Sequence, residues 1–127
     1  MANNLTNAEE RRLLDESLDG TYLALFTADP TEAGALTDEV VGGSYIRVLV
    51  EFDAAATDGG GATTKVMTAD ESFATATADW GEVTHFGFAS AESAGTLRWS
   101  GPLDVAKTIL NGDTYKQLAA DTVCGLN

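Results

Sequence analysis

Two short runs constrain this chain more than any other feature: Val83–Ala89 (VTHFGFA) and Thr96–Gly101 (TLRWSG). In an extended chain successive side chains point to opposite faces, so Phe86 and Phe88 share one side, as do Leu97 and Trp99. Thr96, Arg98 and Ser100 then face the other way. The connector Ser90–Gly95 is made of small and polar residues and ends in glycine, so the pair reads as a β-hairpin with a buried face. Trp80-Gly81 marks its entry. Gly101-Pro102 is expected to close it, because proline has no N–H for a ladder. This hairpin is the expected centre of the core.

The same alternation recurs along the chain. Thr21–Thr27 (TYLALFT) is a compact apolar strand bounded by Gly20 and Asp29-Pro30. Tyr45–Phe52 alternates cleanly, with Ile46, Val48, Val50 and Phe52 on one face and Tyr45, Arg47, Leu49 and Glu51 on the other. The second face is half apolar, so a cover is expected over it. Lys65–Thr68 and Ser72–Thr77 are weaker strands; helix competes around Ala69–Ala78, and extended chain is favoured. Val105–Leu110 and Thr114–Leu118 flank the turn Asn111-Gly112-Asp113, and Thr122–Cys124 adds an edge. Asp53–Thr64, with Gly59-Gly60-Gly61 inside it, is the expected mobile tip. About eight short strands spaced in this way predict an all-β, antiparallel sandwich or jelly-roll-like fold.

One helix precedes the strands. Leu5–Gly20 carries a Thr6/Glu9 capping-box pattern, acidic residues in its first turn, and glycine where a left-handed cap would end it. Leu14 and Leu18 lie one turn apart, with Leu13 beside them. So narrow a stripe does not hold a short helix alone in water. It must dock on its own sheet or on a neighbouring chain, and the sequence leaves both open. The expected organisation is a single domain over 1–127, with the helix at 5–19 and the sandwich at 21–127.

Charge sets the exclusions. The chain has 20 acidic residues against 7 lysines and arginines, a net charge of -13. Such a surface repels phosphate backbones, so no nucleic-acid partner is expected. The acids are scattered across the connectors, which describes a solvated skin rather than a focused site. With 44% hydrophobic residues and no run of about 18 apolar residues, neither a disordered tail nor a spanning helix is predicted. The opening Met-Ala-Asn-Asn has no signal-peptide character. The lone Cys124 makes no internal disulfide, and its simplest role is a small semi-buried hydrophobe. His85 is the single histidine and reads as a strand residue bonded to a neighbour. Asp58-Gly59-Gly60-Gly61 lacks the lysine of a phosphate loop, and no calcium-loop spacing occurs. No catalytic residue, metal ligand or cofactor is therefore assigned.

The order LALFTADPTEAG, EVVGGSYIRVLVEF, ATADWGEVTHFGFASA, GTLRWSGPL and NGDTYK resembles a group of small tailed-phage virion proteins. That group includes tail-fibre-like and minor tail proteins, and similar small β-sandwich proteins decorate phage heads. LTNAEERRLLDESL is similar to its leading helix. The resemblance implies a virion location and a non-catalytic building block. Its first reading is a head decoration (cement) protein bridging major capsid protein subunits, and its second a tail or fibre component. A carbohydrate-binding module is a third reading, which would need Trp80 or Trp99 as an exposed platform. Head decoration implies a trimer. The expected contact residues are Leu14 and Leu18 on the helix, Tyr45, Arg47 and Leu49 on the half-apolar face, and Leu36 and Val40 in a loop, Asp29–Val41, reaching across a subunit boundary. On that reading Leu14→Asp leaves the domain folded and weakens attachment.

Overall fold

A computed structural model describes residues 5–126 of the chain. Helix α1 spans Asn7–Leu18. Thr6 caps it, its hydroxyl accepting from the Glu9 N–H at 3.2 Å. The reciprocal half of the capping box is not made, because the Glu9 carboxylate accepts from Arg12 Nε at 2.9 Å instead. Gly20 follows the helix with φ +79, a conformation that glycine adopts without a Cβ clash.

The main sheet is antiparallel, in the order β2-β1-β6-β7. Its strands are β1 (Tyr22–Phe26), β2 (Val48–Leu49), β6 (Gly81–Ala89) and β7 (Leu97–Ile109). The expected hairpin is its heart: Phe88 lies opposite Trp99 and Phe86 opposite Gly101. Leu23 and Leu25 of β1 pair with Phe88 and Phe86 on one face, while Ala24 and Phe26 sit against Gly87 and His85 on the other. A Cβ on Gly87 would lie 2.6 Å from Leu97 Cδ1 and 2.7 Å from the Trp99 carbonyl. Only glycine lets the two strands meet so closely there.

A second sheet, β3-β4-β9, is built from Ala56–Thr57, Thr63–Lys65 and Cys124–Leu126. The glycine-rich stretch is the turn between β3 and β4. There the Asp58 carboxylate accepts from the N–H groups of Gly60 at 2.8 Å and Ala62 at 3.1 Å. A third pair joins β5 (Glu71–Ser72) to β8 (Lys116–Gln117). The fold is thus all-β and antiparallel with one helix, as the alternation predicts.

Helix α1 packs on the second sheet and reaches back to the first. Leu14 and Leu18 are fully buried in the common core with Leu23, Leu25, Phe86 and Phe88. Burying two leucines contributes about 3–6 kcal/mol, which makes a marginal helix stable in place. Polar contacts fix its register. Thr63 donates to Glu10 at 2.7 Å, Lys65 Nζ to Asp15 at 2.6 Å, and Trp99 Nε1 to Ser17 Oγ at 3.0 Å.

Three elements differ from their sequence-based outlines. Gly101-Pro102 does not end a strand: β7 runs through it for 13 residues and absorbs the expected Val105–Leu110 strand. Proline is tolerated because β7 is the sheet edge, paired on one side only. Tyr45–Phe52 contributes only Val48–Leu49 as strand. Gly42, Gly43 and Ser44 all have positive φ just before it, and Arg47 turns inward. Lastly, the Asp29–Val41 loop is anchored near its end. It folds back on its own sheet, with Thr27 N–H bonded to Asp38 O at 2.9 Å and Val40 N–H to Leu25 O at 3.1 Å.

Candidate interaction surfaces

The expected contact face at Tyr45 and Arg47 is a buried polar joint. Arg47 is 6% exposed. Its Nε and Nη2 each donate to a Glu39 carboxylate oxygen at 2.7 Å. Its Nη1 donates to the carbonyls of Ala91 at 2.7 Å and Ala94 at 2.8 Å. Tyr45 completes the joint, donating to Glu39 Oε2 at 2.6 Å and accepting from the Leu25 N–H at 3.0 Å. Burial, reinforced by the Glu39 carboxylate, holds the Tyr45 hydroxyl far above its ordinary pKa. The hydrogen bonds to Glu39 likewise raise Arg47. A planar guanidinium suits this place, since one fork serves a carboxylate and a turn at once. The joint ties the Asp29–Val41 loop to the β6–β7 connector.

The other expected contact residues separate. Leu14 and Leu18 are 0% exposed and Val40 is 4% exposed, so all three belong to this chain's own core. The helix docks on its own sheets, and a contact role for Leu14 or Leu18 is corrected accordingly. Leu36 is half-buried. Leu49, on β2, remains open at 53% exposure, and Val41 and Ile46 flank the same edge of the sheet at 85% and 49%. Trp80 is buried and donates to the Gly43 carbonyl at 2.9 Å. Trp99 is half-buried against Ser17. Neither tryptophan forms a flat exposed platform for sugar stacking.

Sequence reasoning missed a buried cation. Lys65 is 1% exposed, yet it donates to Asp15 at 2.6 Å and to the Asp53 carbonyl at 2.9 Å, with Asp19 at 3.0 Å. Burial opposes its charge, but the two carboxylates outweigh that and raise its pKa. The signal was the inward register Thr63-Lys65-Met67, in which every second residue is buried. His85 sits on β6 with Nδ1 2.8 Å from Thr84 Oγ1. Among the described residues, no group of histidine, cysteine and carboxylate side chains is arranged to hold a metal ion. No helix among them is long and apolar enough to cross a membrane.

The fold and its surface define a small, acidic, helix-capped β domain with an apolar edge at Val41, Ile46 and Leu49. Residues 2–124 match the family described as podophage GP4 fiber I protein gp80, and the chain belongs to that family. It is a fibre-related structural protein of the phage virion, in keeping with the resemblance read from its strand and turn wording. No curated protein matches the chain.

Proposed function

We propose that this chain is a non-enzymatic, fibre-associated component of a podophage tail, joined to another virion protein and displayed for contact with the host. The observation that carries the proposal is the match of residues 2–124 to a fibre family. It favours the tail-fibre reading, ranked second from sequence, over head cement. The geometry adds support, because Leu14, Leu18, Arg47 and Val40, on which a capsid-lattice contact was to rest, are committed to the chain's own interior. The open edge at Val41, Ile46 and Leu49 is the face we assign to the neighbouring virion protein. Assembly as a trimer belongs to this proposal, and sedimentation of the purified chain checks it. The location is tested by disrupting particles gently, separating emptied heads from tail–fibre assemblies, and quantifying the chain's peptides in each. The chain is expected in the tail–fibre fraction. Recovery with the emptied heads would overturn the proposal.

A further inference from the structure

Three properties of the edge at Val41, Ile46 and Leu49 specify what can cover it. It is open in its backbone as well as in its side chains. β2 is the outer strand of the main sheet and pairs only with β1. Val50, just past it, donates its N–H to the Thr21 carbonyl at 3.1 Å, so alternation along an antiparallel strand turns the N–H and C=O of Leu49 away from β1. The edge is also held in a fixed shape. Ser44 has φ 64, a conformation that costs a non-glycine residue energy and persists only where its surroundings hold it. Here they do. The Gly43 carbonyl accepts from Trp80 Nε1 at 2.9 Å and from the Thr77 N–H at 3.0 Å, and Ser44 Oγ lies 2.8 Å from Thr77 Oγ1. Val41 and Ile46 stand on either side of this anchored turn, so a partner meets them without first ordering a loop.

The third property is a one-sided charge. Arg47 is the one cation among the residues that line the hollows along this edge, and it is spent on Glu39 and two carbonyls. Asp19, at the Leu49 end, is paired with Lys65 at 3.0 Å. That leaves Glu92 beside Val41 and Ile46, and Glu51 beside Leu49. Both are exposed and have no ion pair among the described residues. The field of Glu51 is felt nearby: burial first, and then that charge, hold the Glu71 carboxyl above its ordinary value. An apolar centre with an unpaired acid at each end fits an apolar segment with cations at its ends. A second copy supplies this poorly. Paired edge to edge about a twofold axis, it would bring the acids of both edges together. Its other sheet edge, β7, mixes Lys107 with Asp104, and each copy carries a net charge of -13.

We propose that this edge receives an extended apolar segment, flanked by lysine or arginine, from a different virion protein. The segment would bond to the free N–H and C=O of Leu49, as an added strand does, and lay its apolar side chains on Val41, Ile46 and Leu49. Its cations would meet Glu51 and Glu92 at the exposed rim, where charge governs the choice of partner and the rate of encounter more than tightness. That the partner is a virion protein rests on the fibre reading; the chemistry of the segment rests on the edge itself.

The test is photo-cross-linking in intact particles assembled with p-benzoylphenylalanine in place of Val41 and, separately, of Leu49, with the joined peptides sequenced by mass spectrometry. The expected product is a peptide of another virion protein in which an apolar run is flanked by lysine or arginine. In the Glu51→Lys/Glu92→Lys variant its yield should fall about tenfold, and in Glu51→Gln/Glu92→Gln by less. Both glutamates are exposed, so the melting point of the purified variant should match that of the parent. Cross-links joining two copies of this chain would assign the edge to self-association and overturn the proposal. A partner peptide without flanking cations, an unchanged yield on charge reversal, or no cross-link from either position would overturn it as well. A cross-link to such a segment in a head protein would uphold the inference while overturning the fibre location, and a missing cross-link leaves the fractionation of particles untouched, so the two readings fail separately.

Discussion

Arg47→Ala tests whether the Glu39–Tyr45–Arg47 joint holds the fold or faces a partner. The substitution removes four hydrogen bonds, two to Glu39 and two to the carbonyls of Ala91 and Ala94. It leaves the Glu39 side chain, 13% exposed, with only the Tyr45 hydroxyl against its charge. Breaking a buried ion pair by removing one partner costs about 3–5 kcal/mol. That is a large part of the roughly 5–15 kcal/mol that holds a domain together. For a chain of this size each kcal/mol moves the melting point by roughly 3–6 °C, so a fall of about 10–30 °C is expected by calorimetry or circular dichroism. Arg47→Lys should restore only part of it, because one ammonium cannot serve a carboxylate fork and two carbonyls together. Arg47→Met with Glu39→Gln should be milder than Arg47→Ala alone, since no bare charge remains. A melting point for Arg47→Ala within about 2 °C of the parent would refute the reasoning and return Arg47 to the list of partner-facing residues.

Three further outcomes follow from the interior. Leu14→Asp should abolish cooperative melting rather than leave a folded domain, and Leu14→Ala should cost about 2–5 kcal/mol in urea titration; a normal Leu14→Asp transition would mean the helix is not docked. Hydrogen bonds from Lys65, and then from the Ala55 N–H, hold the Asp15 carboxyl below its ordinary value of 3.8. Its contribution is therefore present above that value and lost as the pH falls toward the depressed one, so parent and Asp15→Asn should differ at neutral pH and converge in acid; a constant difference down to pH 2 would count against the pairing. Burial pushes the Cys124 thiol up to about 12, so an aromatic disulfide reagent at mildly alkaline pH should label it only after unfolding, and rapid labelling of native protein would contradict its placement.

The sequence made the hairpin, the helix and the β class legible because each rests on local periodicity. Phe86, Phe88 and Trp99 declare a strand pair without help from distant residues. What was not legible depends on partners far along the chain. The alternation of Tyr45–Phe52 suggests a free half-apolar face, but Arg47 is drawn inward by Glu39 and by carbonyls more than forty residues away. Lys65 is hidden by Asp15 on the helix and Asp19 at its C-cap. Pro102 reads as a stop in the sequence, whereas at a sheet edge it only removes a donor that had no partner. The register shift opposite Thr84, where Val83 pairs with Lys107 and His85 with Pro102, is likewise not marked by anything in the residue types of 103–106.

The central claim is that this chain is part of the fibre apparatus, and reconstruction of the intact particle by electron cryomicroscopy tests it most directly. The account predicts that the helix-capped three-sheet domain fits density in the tail fibres or at their base, with the Val41–Leu49 edge against a neighbouring protein. Density for the same domain repeated over the head lattice, and absent from the tail, would contradict it.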